Sequence, residues 1–304
     1  MSSTVHVIGA NGRSGAALCR ALIREGRTVI PIVRRAGNLP DDIARTCPPP
    51  RLINLEDETV AIRIALQDAR CIVNTAHARH TVAILAAAPP PAILIGLGST
   101  RKFSRWSDVH GHGVIAGEQA LMSCGRAGIM LHPTMIYGAS GEDNVQRLAR
   151  LLRFLPVVPL PEKGRALVQP IYQEDVTRSL LAAVRKAIAG ELTTPRSIVI
   201  AGPAAMPYRA FVAAVSKAAG LRDRRVLSVP AGVLMTLAPM TAHMPFLPDI
   251  RRDEIRRLLE DKAFDVTPMR QELGVAPLSL EDGLSRLFRS RFFGSRLFRH
   301  RGHA

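Results

Sequence analysis

The sequence predicts an α/β fold, a doubly wound parallel sheet with a smaller C-terminal domain, and three observations carry that reading. Short apolar segments alternate with segments of helical periodicity from Thr4 to Leu97. The apolar segments are continuous, as strands covered on both faces must be. A glycine-rich stretch, Gly9-Ala10-Asn11-Gly12-Arg13-Ser14-Gly15, joins the first strand to the first helix.

Residues 4–8 form the first strand. Within 16–24, Ala17, Leu18, Ala21 and Leu22 share one helical face, and Gly26 stops the helix before a second strand at 28–33. These pieces make one β-α-β unit. The alternation continues with a strand at 51–55, a helix at 59–66, a strand at 71–74, a helix at 81–88 and a strand at 92–97. Later strands fall at 129–137 and 197–201. Segments 156–171 and 221–287 remain for the smaller domain. The expected division is therefore 1–155, rejoined by the strand near 197–201, and 156–304.

A chain of 304 residues is long enough for one large core with a smaller one appended. Its net charge of +16 raises nucleic acid as a partner, but the cations are nearly all arginine, with lysine only at Lys102, Lys163, Lys186, Lys217 and Lys262. No helix-turn-helix, zinc or RNA-binding signature accompanies the charge, and 4% aromatic residues are too few for base-stacking platforms. No nucleic-acid partner is expected. Cys19, Cys47, Cys71 and Cys124 are scattered without a CxxC pair, so neither a metal site nor a disulfide framework is expected. Met1 to Val5 shows no basic region followed by an apolar run, which leaves a cytoplasmic location as the expectation.

A strand running into Gly-x-x-Gly-x-x-Gly and then a helix brings backbone N–H groups and a helix N-terminus to one point, where a pyrophosphate binds. Gly9, Asn11, Gly12, Arg13, Ser14 and Gly15 are the candidate contacts for a dinucleotide. At the end of the second strand an NAD site usually has a carboxylate for the ribose 2′-hydroxyl, whereas this chain has Arg34 and Arg35. A guanidinium there, or at Arg13, suits a 2′-phosphate, so NADP(H) is expected over NAD(H). The plainer reading of Arg34 and Arg35 is solvated surface charge.

With the loop GANGRSG, the strand ends Asn74-Thr75-Ala76 and Gly98-Ser99-Thr100, and the phrase His132-Pro133-Thr134-Met135-Ile136-Tyr137-Gly138, the sequence resembles the extended and atypical short-chain dehydrogenase/reductases. That superfamily has a Rossmann fold and includes NAD-dependent epimerases and dehydratases acting on nucleotide sugars. Gln169-Pro170-Ile171-Tyr172-Gln173-Glu174-Asp175-Val176 is similar to the segment that rejoins the Rossmann and substrate domains, and 258–264 and 273–277 to the family's C-terminal helix and the turn after it. The resemblance implies that Thr75 and Ala76 border the cofactor and that Ser99 contacts substrate. In place of the family's adenine-binding aspartate stands Asn54, whose amide oxygen can accept the same hydrogen bond; Asp57 is the other candidate, or caps the next helix.

The family's Tyr-x-x-x-Lys pair is absent. Aligning on Glu118, the glutamate that follows the lysine in many members, puts Gly111 at the tyrosine position and Ile115 at the lysine position. Neither can transfer a proton. His110, His112 and Lys102 lie just after the strand end, and His112 is the candidate taken with Ser99 as catalytic. Tyr137 reads as packing.

On the substrate side, 226–247 is strongly apolar, with Met235, Met240 and Met244, and reads either as packing of the small domain or as a surface for a greasy substrate. Between Arg225 and Asp249 no other charged residue occurs, but Pro230, Pro239, Pro245 and Pro248 interrupt the run and argue against a membrane span. From Leu284 the tail sets Leu287, Phe288, Phe292, Leu297 and Phe298 among arginines, the composition of a helix lying on an anionic membrane or of a solvated end. Two functions remain. One is an NADP-dependent oxidoreductase or epimerase/dehydratase acting on a nucleotide sugar or related small molecule. The other is a non-catalytic dinucleotide-binding subunit, similar to the nucleotide-binding accessory subunit of respiratory complex I.

Overall fold

Seven parallel strands form the main sheet of the computed structural model, which describes residues 4–35, 37–57, 59–106, 108–138, 144–239 and 252–292. The chain enters through β1 (Val5–Ile8), α1 (Arg13–Arg24), β2 (Val29–Val33), α2 (Asp41–Thr46) and β3 (Arg51–Leu52). It continues through α3 (Thr59–Leu66), β4 (Cys71–Asn74), α4 (Thr81–Ala87), β5 (Ile93–Leu97), α5 (Val109–Ser123) and β6 (Gly128–Pro133). A second region follows, with β7 (Ile136–Tyr137), α6 (Asn144–Phe154), β8 (Val157–Leu160), β9 (Leu167–Val168) and β10 (Ile171–Tyr172). The chain returns as α7 (Gln173–Ile188) and β11 (Pro195–Ile200), then leaves through β12 (Met206–Pro207), α8 (Tyr208–Ala218), β13 (Arg225–Ser228), α9 (Ala231–Leu237) and α10 (Arg252–Arg257). It ends with α11 (Thr267–Leu273) and α12 (Leu280–Phe292).

Two compact units result, and the chain alternates between them: 1–134, 173–200 and 265–276 make the first, and 135–172, 201–264 and 277–304 the second. In the first, the strand order is β3-β2-β1-β4-β5-β6-β11. Val5 stands opposite both Val29 and Cys71, so β1 lies inside the sheet, next to the central β4. Helices α1 and α7 pack together, and α3, α4 and α5 pack in series. Every residue of β1, β4 and β6 is buried, which is why those strands read as apolar-rich runs, with His6, Asn74 and His132 the buried polar exceptions. Ile62, Leu66, Ile72, Ile84, Leu94, Val114 and Leu121 share one core cluster.

The second unit has three two-stranded ladders: β7 with β10, β8 with β13, and β9 with β12. Its core holds Val145, Leu152, Phe211, Val215 and the fully buried Tyr137, whose ring lies 5.4 Å from that of Tyr172. The Gln169 side chain stitches three of its segments: the amide donates to Gly202 O at 2.8 Å and Phe264 O at 3.2 Å, and the oxygen accepts from Phe264 N at 2.7 Å.

Three expected elements differ. The strand expected at 51–55 pairs only over Arg51 and Leu52, because Asn54 folds into a turn with Glu56 and Asp57. The strand expected at 129–137 is two strands, broken after Pro133, with β7 paired in the other unit. The segment 258–264 is not a helix; helices flank it at Arg252–Arg257 and Thr267–Leu273, and its last three residues are tied down by Gln169 and by the Lys262 N–H bond to Leu167 O, at 2.8 Å.

Candidate functional site

The strand order reverses direction between β1 and β4, and in such sheets the crevice outside the carboxyl ends of those strands receives the ligand. The loop after β1 is built for a close approach. Gly9 has φ +79° and its N–H donates to Ile32 O at 3.0 Å, while Gly12 N–H donates back to Gly9 O at 2.8 Å. A Cβ on Gly9 would lie 3.0 Å from Ala76 N and from Thr75 Oγ1. A Cβ on Gly15 would overlap the Gly9 carbonyl oxygen, so α1 presses directly on the loop. Gly12 caps α1 without a side chain, which leaves its first-turn N–H groups to other acceptors.

The other nucleotide-side residues divide into shaping and exposed groups. Thr75 donates its hydroxyl to Ile8 O at 2.8 Å, and Ala76 N–H donates to Asn74 Oδ1 at 3.1 Å. Ser14 donates to Gln173 Oε1 at 3.2 Å. Asn54 donates to Asp57 Oδ1 at 2.9 Å, so these two side chains engage each other. Asn11, Arg13, Arg34 and Arg35 are exposed, and the three guanidiniums make no ion pair among the described residues. A backbone cradle with no room for a Cβ, beside uncompensated cations, fits the phosphates of a dinucleotide.

At the end of β5, Ser99 Oγ accepts the Arg101 N–H at 3.2 Å, while Ser99 N–H donates to Nδ1 of His132 at 3.2 Å. His132 lies fully buried on β6, and a Cβ on Gly98 would collide with its ring. Because Nδ1 accepts, the ring proton sits on Nε2, 3.3 Å from Glu118 Oε1. Lys102 Nζ and Ser197 Oγ each lie 2.5 Å from that same oxygen. Burial, then the Lys102 charge, lowers the His132 pKa to about 4, against the opposing pull of Glu118. Burial raises the Glu118 carboxyl, but the Lys102 and Ser197 hydrogen bonds and the nearby cations bring it below its usual value. Lys102 is thus committed to Glu118. Sequence reasoning missed His132 as part of this network; its signal was a histidine inside an apolar strand.

The start of α5 places its histidines differently. His112 is exposed. His110 Nδ1 lies 2.9 Å from Nε2 of His77, the residue that follows Ala76, with the rings nearly perpendicular. His77 was not anticipated either. Gly111 is buried, and a Cβ there would lie 3.2 Å from Arg101 O. A Cβ on Gly113 would lie 2.7 Å from His77 Cε1, and one on Gly117 would collide with Ala78 O. These glycines let the turn after β4 rest on the helix.

No family model and no curated protein sequence matches this chain. Solved structures do. An NADPH-dependent quinone oxidoreductase from Escherichia coli, complexed with NADPH, superposes with a TM-score of 0.73 at 16% identity, covering 93% of this chain and 99% of that one. A UDP-glucose 4-epimerase from Thermotoga maritima, with UDP-glucose, gives 0.67 at 16% identity, covering 97% and 99%. A short-chain dehydrogenase/reductase superfamily protein from Agrobacterium tumefaciens, with bound NAD, gives 0.68 at 13% identity, covering 97% and 100%. This chain shares their fold, an α/β Rossmann-like one. Ile115, four residues after the buried Gly111, is partly buried.

Met240, Met244 and the tail from 293 lie outside the described residues; Met235, on α9, is partly buried. No helix among the described residues is long and apolar enough to cross a membrane.

Proposed function

We propose that this protein binds NADP(H) in preference to NAD(H) and acts as an oxidoreductase or epimerase/dehydratase on a small molecule of the nucleotide-sugar class. The observation that carries this reading is the Cβ-free cradle of Gly9 and Gly15 at the switch point, with Arg13, Arg34 and Arg35 exposed and making no ion pair among the described residues. In this reading Gly9, Asn11, Gly12, Arg13, Ser14 and Gly15 hold the pyrophosphate and Arg34 the 2′-phosphate, with Asn54, Thr75 and Ala76 lining the rest. NADPH, NAD and UDP-glucose in proteins of the same fold support the ligand class. When bound, the dinucleotide supplies a nicotinamide that delivers or accepts hydride. Ser99, whose Oγ already accepts the Arg101 N–H, uses its single O–H to orient substrate. The polarising role falls to a histidine at the start of α5, His110 or His112. A cytoplasmic protein whose basic tail beyond Phe292 contacts an anionic membrane completes the reading, since Leu284 and Leu287 are buried in the core of the second unit.

Fluorescence titration with NADPH and NADH tests it. NADPH binds more tightly, and Arg34→Ala weakens NADPH roughly 10-fold or more while leaving NADH unchanged, the loss expected for one charge-assisted phosphate contact. Equal affinities refute the selectivity, and no binding of either refutes the central claim.

Gly111 favours a second reading, a dinucleotide-binding subunit without turnover, because the space beside it is filled by the Arg101 carbonyl and would not admit a tyrosine unchanged. A panel of sugar nucleotides that never changes the reduced-nicotinamide absorbance of the loaded protein supports that reading over the first.

A further inference from the structure

We propose that the second unit docks on an anionic lipid surface through α9 and the outer face of the β8–β13 ladder. The proposal is independent of the cofactor reading, and it extends the membrane contact proposed for the tail to a folded face.

Helix α9 carries the first half of the argument. None of its seven residues is buried. Gly232, Val233, Thr236 and Leu237 are exposed, and their spacing sets them on one side of the helix. Val233 is 47% exposed and Leu237 50%. A helix side that faces water ordinarily carries charged or polar groups. This side has a single hydroxyl, and Thr236 donates it back to Gly232 O of the same helix at 2.9 Å. The carbonyl of Met235, which lies in the last turn and has no later helical N–H to meet, accepts from Arg252 Nε at 3.1 Å. Apolar side chains turned outward, with neighbouring polar groups satisfied from within the protein, suit hydrocarbon better than water.

The ladder beside α9 continues the surface. Val229 N–H donates to Leu160 O at 3.1 Å, so the pairing runs up to the residue before Pro230, which caps α9. Its register sets Val157 opposite Arg225 and Pro159 opposite Leu227, which places these four side chains on one face. All four are exposed, Leu227 by 55%. The opposite face turns inward, where Val158, Leu160 and Val226 belong to the core of the unit.

Charge selects the partner. Over 144–161 and 221–239, which hold α6, the ladder and α9, the cations are Arg147, Arg150, Arg153, Arg222, Arg224 and Arg225, and the sole acid is Asp223. Arg147 pairs with Glu254. Arg153, Arg222 and Arg225 are exposed and make no ion pair among the described residues. A second copy seated on this face would set cations against cations. An anionic bilayer meets both parts, with lipid phosphates for the guanidiniums and the acyl boundary for Val233, Leu237 and Leu227.

Cosedimentation of the full chain with phosphatidylcholine vesicles, with and without phosphatidylglycerol, tests this. The expected result is binding to the phosphatidylglycerol vesicles that weakens at high salt, and weaker binding to phosphatidylcholine alone. Val233→Ser combined with Leu237→Ser lowers binding roughly 10-fold or more, the loss expected when two half-exposed apolar side chains no longer enter the lipid. The urea midpoint of that variant matches the parent, because neither residue is buried. Arg153→Ser combined with Arg225→Ser lowers binding to the phosphatidylglycerol vesicles by a similar factor. In Leu237→Trp, fluorescence above that of the native Trp106 is quenched by vesicles with brominated acyl chains. Binding that survives both double substitutions, or a Leu237→Trp signal that brominated lipid leaves unquenched, overturns the proposal while the tail reading stands. Self-association that the Val233→Ser/Leu237→Ser variant loses, in place of vesicle binding, overturns it in favour of a second copy. Failure of the parent to bind either kind of vesicle overturns the proposal and the tail reading together.

Discussion

The position a Cβ would take at residue 15 is filled by the Gly9 carbonyl, whereas at residue 12 the nearest atom is 3.2 Å away and φ is −74°. Gly15→Ala must push α1 off the loop and is expected to cost about 1–3 kcal/mol with loss of NADPH binding. Gly12→Ala stays within about 1 kcal/mol of the parent. Urea unfolding beside NADPH titration checks both, and equal effects at the two positions would refute the close-approach argument. His132 sets a pH dependence. Its folded pKa of about 4 lies below the ordinary value of about 6.5, so the unfolded chain binds the extra proton more readily. Stability from this group is complete above about pH 6.5 and falls by about 3 kcal/mol as pH drops toward 4. His132→Asn, which keeps an acceptor for Ser99 N–H, should flatten that slope in urea midpoints measured across the window.

Helix α4 ends at Ala88, whose N–H donates to Ile84 O at 2.8 Å, and one side chain from elsewhere gathers the carbonyls around that end. Arg126 donates to the carbonyls of Leu85 at 3.2 Å, Ala88 at 3.5 Å and Ala92 at 3.0 Å, and also to Pro89. Arg126→Met leaves these carbonyls without it and is expected to destabilise by about 2–3 kcal/mol. Arg126→Lys recovers little, since a single ammonium cannot span the fork. An unchanged urea midpoint in Arg126→Met would refute this role. Elements of the kind that bury large apolar groups were legible: β1, β2, β4 and β5 stand out as short apolar-rich runs, and α1, α3 and α4 follow from their spacing. Helix α5 carries a weaker pattern, because the face it packs on the turn after β4 uses Gly113 and Gly117 where a helix usually shows leucine. The break after Pro133 was hidden because Met135, Ile136 and Tyr137 are as apolar as the strand before them; their partners lie in β10, far along the chain. The glycine loop could be read because it is local. The Ser99–His132 and His77–His110 contacts could not, since each joins residues 33 apart that only the sheet brings together.

Over the whole molecule, the first unit is assembled from three separate stretches of chain. A protein cut after Thr134 keeps β1 to β6 but lacks β11, which pairs with β6 from Gly128 to Pro133, and α7, which packs on α1. Such a fragment is expected to lose cooperative unfolding and become protease-sensitive; a sharp urea transition would refute that. The same arrangement has a consequence during synthesis. Until Ile200 leaves the ribosome, β6 is an unpaired apolar edge, the kind that recruits strands from other nascent chains. Translation speed between Gly128 and Ile200 is therefore the interval in which yield is decided, and slowing it should favour aggregates unless a chaperone covers that edge.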